Sequence, residues 1–242
     1  MKIIVNSLDL NDAVAKVSRA LPVRGVVPVL ECIRVIAEND KMTLYATDKD
    51  LAIEKTIDAN VVVGGAMLVP GRVFGDYIRS IAGEDTEVSL ETDDSDRLTI
   101  STSGSECNIT TLDVEDYPES EEVSNESYFT IQEASLKEII NNVIFSVATD
   151  DSRPMLKGVY LEAKDFVLTA VATDGYRFAM SKKALEEKSA AISATVPSRS
   201  LAELSRLLGD SDNLLRVYVE KNYLLVALEN TKLLTRLLVS GQ

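Results

Sequence analysis

Histidine is missing altogether from the 242 residues. That removes Ser-His and Cys-His nucleophile pairs, imidazole acid–base chemistry and histidine metal sites, and it counts against an enzyme. Cysteine is scarce. Cys32 and Cys107 each fall inside strand-like runs, which reads as buried thiols rather than a disulfide, and two cysteines cannot form a structural zinc site without other ligands. Long apolar runs are also absent. Nothing approaches the roughly 18 residues of a membrane span, and no basic segment followed by an apolar one opens the chain, so the expectation is a soluble, cytoplasmic protein. Positive charge is outnumbered, with 25 Lys and Arg against 39 Asp and Glu and a net charge of −14. This balance argues against an ordinary basic nucleic-acid binder unless the cations are segregated on one surface.

What the sequence does contain is a repeat. The stretch Ala170 to Ala179, with Thr173-Asp174 at its centre, echoes Leu44 to Ile53, with Thr47-Asp48 at its centre, at a shift of 126 residues. The same shift lays Leu10, Val14, Val17 and Leu21 on Leu136, Ile140, Val143 and Val147, apolar positions at helical spacing. It also lays Pro28 and Leu30 on Pro154 and Leu156, and Ile33, Val35 and Ala37 on Val159, Leu161 and Ala163. With one inserted residue, Val69-Pro70-Gly71-Arg72 falls on Val196-Pro197-Ser198-Arg199, and Arg79 falls on Arg206. The chain therefore reads as two copies of one folding unit. With 45% hydrophobic residues it can bury two cores. The boundaries expected are 1–124 and 125–242, joined through an acidic connection at about 113–127.

Each copy predicts a strand, a helix, a set of antiparallel strands, a second helix opened by proline, and further strands. The helices fall at 7–21, 70–82, 133–148 and 197–208, with Ser7 as an N-cap and Pro70 at the first helical position. Hairpins are expected across the turn at Glu38–Lys41, across that at Asp93–Asp96, and from 156 to 172. The fold class is α+β, two helices and several antiparallel strands per unit.

The strongest positional signal is an arginine pair on each proline-initiated helix, Arg72 with Arg79 and Arg199 with Arg206, seven residues apart and so on nearly one face. One such pair reads as a solvated helix face; two at matching positions read as a shared basic surface. The four helices carry 0, +1, −1 and +1, which leaves −15 for the rest of the chain. A near-neutral helical surface studded with arginines tolerates phosphate, while the acidic remainder repels it. No base-reading pattern is present, so nucleic-acid contact is expected to ignore sequence. The acidic turns, Asp93 to Asp96 and Asp150 with Asp151, read as loop tips. A two-metal hydrolase site at the latter would need further carboxylates nearby. At residues 153–156 and 173–178 the second copy replaces the character of the first with an aromatic and basic set, which suits either core packing or a small peptide-binding pocket.

These segments together, Val69 to Arg72, Thr111-Leu112 with Asp116-Tyr117-Pro118, Arg153-Pro154 with Leu156 and Gly158, Ala170 to Arg177 and Val196 to Arg199, resemble the bacterial β sliding clamp, the processivity factor of DNA polymerase III. The resemblance covers the whole chain. It implies tandem DNA-clamp units whose helices line a hole through which duplex DNA passes, with no catalysis and no cofactor. Lys16, Arg19, Arg24, Arg72, Arg79, Lys137, Arg199 and Arg206 are then expected to face DNA. The family's pocket for short linear motifs of the polymerase and clamp loader falls on Arg153, Leu156, Thr173, Gly175, Tyr176, Arg177 and Phe178, with Tyr176 where many relatives carry histidine. The subunit contact of its homodimeric ring falls on Tyr77, Ile81, Cys107 and Ile109. Family members have three units per subunit and this chain has two, so a form lacking the third unit is the expectation. A two-domain trimeric clamp of the proliferating cell nuclear antigen type is the first alternative, and a metal-dependent hydrolase the second.

Overall fold

The computed structural model describes residues 1–23, 27–83, 86–93, 96–121, 123, 126–150 and 152–238. The chain divides into two compact units, Met1–Ser120 and Glu121–Gln242. No helix of the described residues is long and apolar enough to cross a membrane.

In the first unit, β1 (Lys2–Asn6) leads into α1 (Ser7–Val17), followed by β2 (Cys32–Glu38), β3 (Lys41–Thr47), β4 (Leu51–Asp58), β5 (Asn60–Val63) and β6 (Gly65–Pro70). Then come α2 (Gly71–Ile81), β7 (Glu87–Thr92), β8 (Arg97–Ser101) and β9 (Glu106–Thr110). Two antiparallel arrays result, one in the order β5-β1-β7-β8-β9 and the other β4-β3-β2-β6. Asn39 and Asp40 both take positive φ, 50° and 55°, which is the two-residue reversal that matches the twist of β2 and β3.

The second unit repeats the order with β10 (Tyr128–Gln132), α3 (Glu133–Asn141), β11 (Gly158–Thr173), β12 (Phe178–Pro197), α4 (Ser198–Leu207), β13 (Leu214–Val219), β14 (Tyr223–Ala227) and β15 (Thr231–Arg236). Its β10, β13, β14 and β15 pair in sequence as β1, β7, β8 and β9 do. The long strands β11 and β12 take the places of β2 to β6. Gly158 to Ala163 pair with the end of β12, as β2 does with β6, and Val167 to Thr173 pair with its start, as β3 does with β4.

Alternation in the sequence becomes alternation in burial. Ile3 and Val5, Val88 and Leu90, and Leu98 and Ile100 all point inward from the first unit's larger array, and Phe129 and Ile131 do so from β10. The helices close these faces. Leu10, Val14 and Val17 of α1, and Phe74 and Ile78 of α2, are buried, as are Leu136 and Ile140 of α3 and Leu201 and Leu204 of α4. Each such aliphatic side chain contributes roughly 1.5–3 kcal/mol by leaving water. The helices α1 and α2 pack on each other, and so do α3 and α4.

Five local expectations change. The N-cap of α1 is Asn6, whose side-chain oxygen accepts from the N–H groups of Leu8 at 2.8 Å and Asp9 at 3.3 Å, while Ser7 lies inside the helix and is buried. The helix expected to run to Leu21 stops at Val17, because the Ser18 hydroxyl donates to the Val14 carbonyl at 2.6 Å and a 3-10 turn follows. Its counterpart stops at Asn141 rather than Ala148, where Asn142 and the β-branched Val143 are poor continuations. Pro70 and Pro197 stand at the N-cap, one place before the first helical residue. The hairpin expected over 156–172 is one strand, β11, whose register shifts between Ala163 and Val167 around Asp165 at φ 52°.

Candidate nucleic-acid interface and peptide pocket

Helix α2 buries Phe74, Gly75 and Ile78, which leaves Arg72, Asp76 and Arg79 in solvent. Positions four and seven residues along lie within about 40° of the first, so the three side chains form one stripe. Arg72, Asp76 and Arg79 also border an open concavity of about 570 Å³ with Ser18, Leu21 and Glu31. Within the stripe, Arg79 Nη1 lies 3.1 Å from Asp76 Oδ1. Helix α4 is built alike: Leu201 and Leu204 are buried, Arg199 and Arg206 are exposed, and Arg206 Nη1 is ion-paired with Glu203 Oε1. The acid is in the same place in both stripes.

The remaining cations divide by helix. Lys16 stands at the end of α1, 2.8 Å from Asp12, and Arg19 is exposed on the 3-10 turn that follows. Lys137 lies on α3, where its Nζ is 2.8 Å from Asp210. Arg24 falls outside the described residues. Every described residue expected to face phosphate is therefore on a helix or the turn ending one, and Lys16, Arg79, Lys137 and Arg206 each already hold a carboxylate.

The second constellation forms at the reversal between β11 and β12. Thr173 Oγ1 accepts from the Gly175 N–H at 3.1 Å and donates to the Arg177 carbonyl at 2.8 Å. Asp174 Oδ1 accepts from the N–H groups of Tyr176 at 2.9 Å and Arg177 at 3.0 Å, and Arg177 Nε donates to Asp174 Oδ2 at 2.9 Å. The Arg177 backbone N–H first, then that of Tyr176, hold the Asp174 carboxyl below its usual range. Gly175 takes φ 90°, and a Cβ built there would lie 2.7 Å from Arg153 Nη1, so the Arg153 guanidinium rests against the glycine. Tyr176 and Phe178 are 97% and 64% exposed, which excludes core packing for both. Leu156, half-buried, closes the 3-10 turn that begins at Pro154, and its N–H donates to the Arg153 carbonyl at 3.0 Å.

Two members of this cluster are not among the pocket residues that the resemblance implies, although Asp174 lies within the 173–178 segment. Asp174 organises the turn, and the run Thr-Asp-Gly before an extended segment is a recognisable signal for a side-chain-capped turn. Phe145 is exposed, and Arg177 Cζ stands 5.8 Å from its ring centroid, a cation–π distance. Nothing local in the sequence marks Phe145, since the shift places it opposite Arg19.

The residues expected at a subunit contact group at one end of the first unit. Cys107 and Ile109 lie on β9, an edge strand of its array, and Tyr77 Oη on α2 is 3.1 Å from Ser105 Oγ just before that strand. Ile81 is half-buried at the end of α2. Ile109 is only 6% exposed, so the edge offers a partner its unpaired backbone and Cys107 more than the Ile109 side chain.

Among the described residues no three His, Cys, Asp or Glu side chains are grouped to hold a metal ion. Asp150 caps its own turn, accepting from the Ser152 N–H at 2.9 Å and from the Ser152 hydroxyl. Asp151, with Asp94 of the other acidic turn, lies outside the described residues.

Residues 1–121 match the DNA polymerase III beta subunit, N-terminal domain, and residues 130–241 match the central domain of the same subunit. A beta sliding clamp of Staphylococcus epidermidis is 32% identical over 237 residues, 95% of this chain and 61% of that protein. One from Halalkalibacterium halodurans is 31% identical over 233 residues, 92% of this chain and again 61% of the relative. The chain thus spans about three-fifths of the length of these relatives. Among solved structures, the DNA polymerase sliding clamp from Bacillus subtilis superposes with a TM-score of 0.95 at 25% identity, over all of this chain and 66% of its own. A DNA polymerase III beta chain from Streptococcus pneumoniae does so at 0.93 and 26%, with the same coverage.

Proposed function

The chain belongs to the DNA polymerase III beta subunit family, and from that premise we propose that it is a non-catalytic DNA clamp component working in the cytoplasm. Its helices face duplex DNA, and its second unit takes short linear motifs of the replicative polymerase and the clamp loader. The mechanism is tethering: a protein held beside the primer end is at high effective concentration there, and the gain in product length needs no bond-making by the clamp itself. Sliding requires the contact with DNA to be weak and blind to sequence. Arginine on phosphate meets both conditions, because the phosphates carry no base information and the attraction falls with salt.

The observation that carries this reading is the recurrence of one Arg-acid-Arg stripe, its arginines exposed, at matching places on α2 and α4. In the second unit, the exposed Tyr176 and Phe178 beside Arg153 and Arg177 suit capture of a peptide with an apolar anchor and an acidic or carbonyl partner. The β9 edge is the surface for a neighbouring subunit of a homodimeric ring.

The test is duplex binding at low salt. Replacing Arg72, Arg79, Arg199 and Arg206 together with Glu should abolish retention of duplex DNA, and scrambling the base sequence should leave wild-type affinity unchanged. Retention that survives four charge reversals, or that follows base sequence, overturns the reading.

A further inference from the structure

Each exposed arginine stripe contains a carboxylate, and its position is unusual for one that serves only the helix. An acid placed to complement the helix dipole belongs in the first turn, yet neither α2 nor α4 carries an acidic residue there. Asp76 and Glu203 instead sit mid-helix, four residues after one arginine and three before the next, in both units. Each pairs with the later arginine, Arg79 with Asp76 at 3.1 Å and Arg206 with Glu203. The first pair is open to solvent, with side chains 70% and 66% exposed, and Arg206 is 57% exposed while Glu203 is largely covered. A phosphate approaching either arginine therefore meets a guanidinium that already has an anion beside it.

We infer that Asp76 and Glu203 are affinity-limiting residues, built-in counter-anions that keep the helical arginines from gripping phosphate. This rests on the proposal that these helices face DNA. A phosphate that binds a free arginine releases a condensed counterion and gains the corresponding entropy. One that binds Arg79 or Arg206 must share or displace an attached carboxylate, which cannot diffuse away, so the gain is smaller and the contact breaks sooner. The charge remains positive enough to attract the backbone, since each stripe still sums to +1. The result is a surface that DNA can approach and slide along without a long-lived contact at any one phosphate.

The experiment compares Asp76→Asn, Glu203→Gln and the double variant with wild type by fluorescence anisotropy on a labelled duplex, over a salt series, with Arg79→Ala plus Arg206→Ala as the control. Thermal melts check that each variant is folded, which is expected because Asp76 is exposed and both changes preserve side-chain shape. Each neutralisation should tighten duplex binding about 1.5- to 5-fold at low salt, the range that an exposed ion pair spans. The dependence of log affinity on log salt should also steepen, by up to about 0.9 per arginine freed. A merely helix-stabilising acid would shift the melt and leave that slope alone. If the arginine control weakens binding while the neutralised variants match wild type in affinity and slope, the inference fails and the DNA-facing reading stands. If the arginine control changes nothing either, the reading fails and takes the inference with it.

Discussion

Lys49 and Gly175 occupy the same place in their two units, each third in a Thr-Asp turn and each at positive φ, 79° and 90°. The hydrogen bonds from backbone N–H groups to the Thr and Asp side chains correspond. Lys49 N–H donates to Thr47 Oγ1 at 2.9 Å and Leu51 N–H to Asp48 Oδ1 at 2.8 Å, as Gly175 and Arg177 do to Thr173 and Asp174. A lysine here bears a steric strain that glycine does not. Lys49→Gly should therefore stabilise the first unit by on the order of 0.5–1 kcal/mol, the strain relieved less the extra freedom of the unfolded chain. Gly175→Ala should destabilise the second by about 1 kcal/mol or more and push Arg153 aside. Urea melts read both. A loss of stability in Lys49→Gly would show that the lysine side chain contributes more than its backbone costs.

Tyr117 locks the first unit's version of that turn. Its hydroxyl accepts from the Thr47 N–H at 3.2 Å and donates to the Cys32 carbonyl at 3.1 Å, and its ring meets Tyr45 edge-on with centroids 5.9 Å apart. Tyr117→Phe leaves both backbone groups without this partner in a buried place and should cost roughly 1–3 kcal/mol. Burial, first among the causes, raises the phenol pKa above its ordinary value near 10. In the unfolded chain the phenol ionises near that ordinary value, so the stability tied to the neutral form is full below pH ~10 and is lost as pH rises beyond it. Alkaline titration of stability should show this loss in wild type and a smaller one in Tyr117→Phe; equal losses would put the alkaline sensitivity elsewhere, with Tyr45 the next candidate because its pKa is raised in the same direction.

Asp174 predicts the opposite pH dependence. Its carboxylate is favoured in the fold by the Arg177 and Tyr176 N–H groups, so the turn's order is present above the usual carboxylate pKa of about 3.9 and fades as pH falls below it. The protection of the Tyr176 and Arg177 amides, their exchange rate compared with the intrinsic rate at the same pH, should fall on acidification and be low at neutral pH in Asp174→Ala. Exchange in the variant as slow as in wild type would mean that the strands flanking the turn hold it alone.

Much of this architecture was legible in the sequence because periodicity and repetition report on burial. Leu10, Val14 and Val17 and their counterparts Leu136, Ile140 and Val143 are buried as the helical spacing requires. The fourth member of each set, Leu21 and Val147, is only half-buried because both helices end before reaching it. What stopped them was local hydrogen bonding by Ser18 and weak helix formers at Asn142 and Val143, effects of one residue that an apolar pattern does not register. The arginines were found because two copies placed them alike. The ion pairs that temper them were not, since charge arithmetic counts Asp76 and Glu203 without saying which cation each one touches. Phe145 was missed because its contact with Arg177 joins segments far apart in the chain.

Phe74 and Leu201 are the corresponding core anchors of α2 and α4, 0% and 1% exposed. They differ in volume, so each unit has packed its own residue, and swapping them should be costly in both directions. Phe74→Leu leaves a gap worth about 1 kcal/mol, and Leu201→Phe overpacks by about 1–3 kcal/mol. The full truncation Phe74→Ala should cost about 3–5 kcal/mol. Because α2 holds its arginine stripe outward only by burying Phe74 and Ile78, this truncation should loosen the stripe as well as the core. Hydrogen exchange by mass spectrometry should then show residues 71–81 losing protection while residues 198–207 keep theirs, with duplex affinity reduced and not abolished. Equal loss in both helices would mean that the two cores do not hold their arginine faces separately, and each unit's phosphate contact would then depend on the other's packing.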